Sequence, residues 1–326
     1  MKIQRMAPVF AAAILLLLAR TVLLGPKSHS VVFAAPANSA AAFLGRWDLT
    51  LTAPGHEYPS WLEVSEENGQ LRAQMVGRWG NVRPLPKAEL INGHLTFVSP
   101  KEEEDLPTDM VFEGTLKGKT LSGTVSGPKD GPWKWTGQRA LALKAKSAPS
   151  WGEPIPLFNG KDLTGWKMQG TGTTKWIVEN GDLVSPGNGP ELINDSKYRD
   201  FKLHVEFNCG PTSNSGVYLR GRYEVQIETD SEAEPPSHHT GGVYGFLAAT
   251  PEQPRKGDEW QTLDITLNGR WITVVQNGKT VIDDQEIPGI TGGALDSHEE
   301  LPGPIYLQGS EKGHVLYRSI VLTPAK

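Results

Sequence analysis

Apolar and polar residues alternate along much of this chain with a period of two, the spacing of strands whose side chains point to opposite faces. The alternation is sharpest in NSGVYLRGRYEVQIETD, residues 214–230. Val217, Leu219, Val225 and Ile227 fall on one face, and Tyr218, Arg220, Glu224, Gln226 and Glu228 on the other. Gly221 marks the bend. A loop over residues 221–223 keeps the faces separate, pairing Arg220 with Glu224 and Tyr218 with Gln226, whereas a two-residue loop mixes them. A polar outer face is ordinary for an antiparallel sheet. This one holds Tyr, Arg, Glu, Gln and Glu without Lys, Ser or Thr, so a site and a solvated face both fit it.

The same period predicts an all-β chain in two parts. From Phe43 onward, short alternating segments are broken by turn signals, among them Asn68-Gly69 and Asn92-Gly93, the strongest short-range hairpin pairs. They predict a small antiparallel barrel-like domain over residues 40–143, and its Gly45-Arg46-Trp47 opening looks like a lipocalin-type barrel. Residues 144–153 are polar and Pro-rich and read as a linker. Beyond them, strands are expected at 176–179, 182–185, 201–209, 216–220, 224–228, 262–268, 271–276, 279–283, 305–308 and 314–322. That number of strands makes a two-sheet sandwich over residues 154–326.

The N-terminus changes the setting. Lys2 and Arg5 precede an apolar run at 7–19, the charged and hydrophobic regions of a secretory signal, with small-residue cleavage sites near 34–37. Residues 1–37 are therefore expected to be a cleaved signal peptide, with an uncleaved anchor as the alternative, and the mature protein secreted or periplasmic without stable membrane insertion. Cys209 is the single cysteine, which leaves no thiol near the signal to carry a lipid and no intrachain disulfide. The formal charge of −5 and the lack of a basic tract argue against a nucleic-acid partner. Ten tryptophans are a weak pointer to carbohydrate.

The second part resembles the 3-keto-disaccharide hydrolase family, a former domain of unknown function. The likeness rests on ordered blocks that include LFNGKDLTGW (157–166), WIVENGDLVSPG (176–187), YRDFKLHVEF (198–207), residues 214–230, GGVYGF (241–246), EWQTLDITLNG (259–269), VVQNGKTVID (274–283) and GPIYLQG (303–309). It implies a concanavalin-like jelly roll and cleavage of glycosidic bonds in sugars oxidised to a ketone at C3. Two departures stand out. Ser310-Glu311-Lys312-Gly313 follows LQG where members commonly carry Asp-His-Gly, so that histidine's role is absent or shifted to His314. Cys209 stands where relatives often carry a basic residue, and reads as a strand-end thiol.

A 3-keto sugar has an acidified proton at C2, so one base can remove it and the enolate can expel the group at C1. The resemblance makes Glu224 and Glu228 the candidate bases, Arg220 the oxyanion stabiliser, and Tyr218 and Gln226 hydroxyl ligands. Glu224 and Glu228 lie about 13 Å apart along a strand, too far for a retaining carboxylate pair at about 5 Å. His204, Glu206, Tyr244, Trp260, Asp264 and Gln308 complete the candidate substrate-binding set. For His204 and Glu206 a salt-bridged outer face is the competing reading, and for Trp260 a core position. No cofactor is specified, although Asp230, His238 and His239 in the acidic loop are candidate ligands for a divalent metal. A non-catalytic carbohydrate-binding module is the alternative to an enzyme, since fold does not fix function.

N-terminal sequencing of the exported protein is expected to start after the small residues at 34–37. Intact Met1 in a membrane fraction would establish the anchor instead.

Overall fold

A computed structural model describes residues 39–326, except 78–79, 146–147, 171–174, 230–232 and 255. The expected signal peptide and Asp230 lie outside the described residues. Among the described residues no helix is long and apolar enough to cross a membrane.

Residues 45–139 form a nine-stranded antiparallel meander. Its first strand, Gly45–Ala53, pairs with His56–Glu67 on one side and with the last strand, Trp133–Arg139, on the other. This closure leaves no free edge at the chain ends of the sheet and encloses a core of Trp47, Leu49, Leu62, Phe97, Phe112 and Trp135. Arg139 stacks over Trp47, 4.0 Å from its ring centre, and caps that core. The hairpins turn where expected: Asn68-Gly69 and Asn92-Gly93 all have positive φ, as a two-residue turn of matching twist requires. The acidic run after Pro100 is partly folded in, with Glu104 buried against Arg83 at 2.5 Å and Ser99 at 2.8 Å.

The second part is a sandwich of an eight-stranded and a five-stranded sheet. The large sheet runs Ile177–Glu179, Asp182–Ser185, Val315–Pro324, Phe201–Cys209, Gln261–Asn268, Trp271–Gln276 and Lys279–Glu286, with Ile155–Pro156 added along Val315–Pro324. The small sheet runs Trp166–Met168, Leu192–Asn194, Tyr306–Leu307, Asn214–Leu219 and Tyr223–Glu228. Short strands at 155–156, 166–168 and 192–194 carry too few residues to show a period, and the alternation did not reveal them. Between the sheets lie Phe201, Leu203, Val205, Val217, Leu219, Val225, Ile227, Leu263 and Ile265, the alternate residues expected. Cys209 is buried there, its thiol pushed up to about 12 by burial, which makes it an inert core residue.

The two parts share core. Trp61 sits on a strand of the meander yet packs in the sandwich's apolar cluster, edge-on to Phe246 at 5.3 Å between ring centres and over Gly289, where a Cβ would lie 2.1 Å from its ring. Val76 joins the same cluster. The later part of the expected linker is also fixed, since Gly152 donates to Pro324 O and Lys326 to Ser150 O, both at 2.8 Å.

Trp61→Ala empties a joint between both parts and is expected to cost about 3–5 kcal/mol in urea unfolding. A loss under about 1 kcal/mol would show that the joint carries little of the stability.

Candidate functional site

The hairpin at 214–228 has the expected faces but a different register. Tyr218 pairs with Glu224, Gly216 with Gln226 and Asn214 with Glu228, so the loop is residues 220–222, not 221–223. The reason is backbone conformation: Arg220 and Gly221 take left-handed φ of 53° and 67°, which turns the chain one residue earlier. Parity survives, because pairing of even with even residues keeps Tyr218, Glu224, Gln226 and Glu228 together. Arg220 does not survive as their neighbour. It enters the interior, 1% exposed, and its Nη2 donates to Tyr223 Oη and Gly269 O, both at 2.8 Å.

The outer face of the small sheet carries a cleft of about 220 Å³. Glu191, Asn214, Tyr218, Glu224, Gln226, Tyr306 and Gln308 come from the sheet or its strand ends, Tyr244, Gly292, Gly293 and Glu311 from loops, and Gly80 from the N-terminal meander. One rung of the sheet builds the centre: Tyr306 pairs with Tyr218 and Tyr218 with Glu224. The two phenol rings stack at 4.0 Å between centres. Glu224 lies back over Gly216, where a Cβ would stand 2.1 Å from Oε1, so only glycine leaves room for the carboxyl.

Glu224 is 3% exposed, and burial pushes its carboxyl up to about 8. The Tyr218 contact opposes that rise, while Glu311, Glu191 and Glu228 add to it. Hydrogen bonding agrees with a neutral acid. Tyr218 Oη is 2.9 Å from Glu224 Oε2 and 2.7 Å from Gly292 O, yet a phenol has one proton to give. Both contacts are satisfied when Glu224 donates to Tyr218 and Tyr218 donates to Gly292. The Gln226 amide, oriented with nitrogen inward, donates to Glu224 Oε1 at 3.3 Å and Ser215 O at 3.1 Å. Burial raises Tyr218, Tyr306 and Tyr244 above the usual phenol range, so all three stay protonated donors. No Lys or Arg lines the cleft among the described residues.

The other expected residues divide. Tyr244 and Gln308 line the cleft as anticipated. Glu228 shares Glu224's face and is buried at the far end of the strand, outside the cleft lining. His204, Glu206, Asp264 and Trp260 belong to the large sheet's outer face instead. His204 Nδ1 is 2.7 Å from Asp264 and its Nε2 3.4 Å from Glu206, Glu206 also pairs with Arg318, and Arg318 covers Trp260 at 4.4 Å. For His204 and Glu206 this is the salt-bridged surface that competed with the site reading, and all four residues lie outside the cleft lining. His314 reaches Asp258 at 3.5 Å and does not line the cleft. His238 is held by Glu234 at 2.9 Å and stacks on Tyr244, while His239 faces Glu252 at 3.0 Å. The two imidazoles thus engage different carboxylates, and among the described residues no group of three His, Cys, Asp or Glu is placed to hold a metal.

Glu191, Asn214, Tyr306, Glu311 and Gly80 were not anticipated. Tyr306 had a signal, because it shares parity with Gln308 on the strand expected at 305–308, of which the structure keeps Tyr306–Leu307.

A family model described as a 3-keto-alpha-glucoside-1,2-lyase-like domain matches residues 153–323 of this 326-residue chain, more than half of it. A curated 3-keto-disaccharide hydrolase from Bacteroides thetaiotaomicron is 20% identical in an alignment that covers 40% of this chain and 57% of that protein. The chain therefore spans little more than half the length of this curated relative. Two crystal structures of Parabacteroides distasonis proteins assigned as glycosyl hydrolases are also similar. One is 24% identical, covering 56% of this chain and 93% of that one with a TM-score of 0.45; the other is 25% identical, covering 52% and 98% with a TM-score of 0.42.

Glu224→Gln should separate stability from pH. The folded carboxyl titrates near 8 against an ordinary 4.5, so the stability of the neutral acid is fully present below about 4.5 and is lost as pH rises through about 8. The variant keeps a neutral group, so urea unfolding is expected to show it gaining on the parent by up to about 1.4 kcal/mol per pH unit across that window. Parallel pH–stability curves would mean that Glu224 titrates normally.

Proposed function

This chain belongs to the 3-keto-alpha-glucoside-1,2-lyase-like domain family, and from that premise we propose that it cleaves the glycosidic bond of 3-keto-glycosides by proton transfer through Glu224. The observation that carries this reading is a single buried carboxyl, raised to about 8, on the floor of a cleft lined by phenols and amides. A base near neutrality suits a C2 proton already acidified by the neighbouring ketone. Loss of that proton to Glu224 breaks C2–H and leaves an enolate whose negative charge resides on the C3 oxygen. Collapse of the enolate forms the C1–C2 double bond and breaks C1–O, and the departing oxygen takes up a proton. Water adding across that double bond completes a net hydrolysis.

The surroundings favour this route in two ways. Arg220, the expected oxyanion partner, is buried elsewhere, and the Tyr306 phenol already donates to Gly293 O at 3.1 Å, which leaves the protonated phenol of Tyr244 and the amides of Asn214 and Gln308 as donors to the C3 oxygen. A cleft with Glu191, Glu224 and Glu311 and without a cation among its described residues also disfavours phosphorylated, sulfated or carboxylated sugars and suits neutral ones. The charged and then apolar N-terminal run supports export to the secreted or periplasmic space.

The test compares methyl 3-keto-α-glucoside with its unoxidised parent. Cleavage is expected of the ketone alone, with kcat/KM rising with pH to a plateau above about 8 as Glu224 loses its proton, and Glu224→Gln should lower it by about 100-fold or more. Equal cleavage of both sugars, or a variant that keeps parental turnover, would refute the mechanism. Binding of the sugars without turnover would instead mark a binding module.

A further inference from the structure

We propose that residues 80–82 of the N-terminal meander are a specificity element, forming a fixed wall that restricts the cleft to an oxidised ring at the end of a sugar chain. The proposal rests on the carbohydrate reading of the cleft given above. Gly80 lines the same space as Glu224 and Tyr218, although some 110 or more residues of sequence separate it from every other lining residue.

The contact between this segment and the sandwich is backbone on backbone. A Cβ at Gly292 would lie 2.1 Å from Gly80 O, and one at Gly245 would lie 3.0 Å from both Asn81 Cα and Val82 N. These glycines flank the working groups: Gly292 O accepts the Tyr218 phenol, and Gly245 follows Tyr244. So close a fit leaves no passage for a sugar between residues 80–82 and the sandwich. The segment is also anchored. Val82 packs on the sandwich's apolar cluster, which holds Trp61 and Val76 of the same meander. The cleft offers about 220 Å³, below the roughly 300–1,000 Å³ of sites for drug-sized ligands and suited to one ring. A leaving group must extend out through the open side, so the walled side receives the part of the ring that bears no further sugar.

Two substrates and two variants test the wall. The substrates are methyl 3-keto-α-glucoside and the same oxidised ring carrying a second glucose at O4. The wild type is expected to have kcat/KM lower by about 100-fold or more on the extended sugar; values within about threefold of each other would overturn the proposal. Gly80→Asn adds a side chain at φ 74°, a conformation asparagine tolerates, where no atom lies within 4 Å of the new Cβ. It is expected to raise KM for the methyl glycoside by about tenfold with little change in kcat, without lowering Tm appreciably. Gly55→Asn, at φ 75° with equally open surroundings and outside the cleft lining, should leave KM unchanged. An unaltered KM in Gly80→Asn would also overturn the wall. If neither sugar is turned over, calorimetry with the same two glycosides decides: tighter binding of the shorter one upholds the wall while the reaction falls, and equal binding of both, or of neither, overturns it.

Discussion

A hairpin buried on both faces sets the terms for this molecule. In Asn214–Leu219 and Tyr223–Glu228 every residue but Asn214 is buried, although half of the side chains are polar. The apolar half meets the large sheet, which accounts for the fold. The polar half has no bulk water to fall back on, so each group must find a partner or hold a neutral form. Tyr218 and Gln226 provide partners for Glu224, Gly292 O accepts the Tyr218 proton, and protonation removes the charge of Glu224. The chemistry of the cleft follows from that solution: a carboxyl kept neutral at ordinary pH by its surroundings is a carboxyl able to move a proton there.

The turn that ends this hairpin ties it to the rest of the chain. Arg220 folds inward because its left-handed backbone aims the side chain away from the polar face, and there it meets Tyr223, whose phenol donates to Glu299 at 2.7 Å. Arg270 approaches Glu299 at 3.6 Å and Glu286 at 3.0 Å, and Glu286 reaches Arg46 of the meander at 3.1 Å. Asp48, also on the meander, is buried beside Glu299, and burial followed by that neighbour's charge raises it to about 10. Holding Asp48 neutral avoids placing a second anion beside Glu299. The network thus joins the meander to the sandwich and holds the strand that carries Glu224 at its Tyr223 end.

How much of this was legible follows from the range over which each signal acts. Alternation and Asn-Gly turns are local, so the two β parts, the meander after Gln261 and the membership of each face could be read directly. The register of the 214–228 hairpin could not, because it depended on an arginine accepting a left-handed φ that sequence preference assigns to glycine or asparagine. The cleft was legible in one hairpin and, beyond it, at Tyr244 and Gln308, whose blocks carried the family resemblance. Glu191, Tyr306 and Glu311 reach it through strand order, and nothing local says that the strand at 306–307 lies between those at 192–194 and 214–219. The error at His204, Glu206, Asp264 and Trp260 has the same origin. Period two separates the faces of a strand, but it does not tell which of two sheets has the solvated face and which the sealed one.

Sealing that face has a thermodynamic consequence that explains the shared core. A carboxyl that titrates near 8 instead of 4.5 withdraws about 1.4 kcal/mol of stability for each pH unit through which it resists ionisation. Against a typical net stability of about 5–15 kcal/mol, such a group is tolerated only where other contacts supply the difference. Trp61 and Val76 supply part of it by completing the sandwich's apolar cluster from outside. The strand that contributes Trp61 also leads through Gln70–Val76 to Gly80 at the cleft. The same excursion of chain therefore completes the core that offsets the cost of the buried acid and lines the cleft in which that acid sits, which couples stability and chemistry at this site.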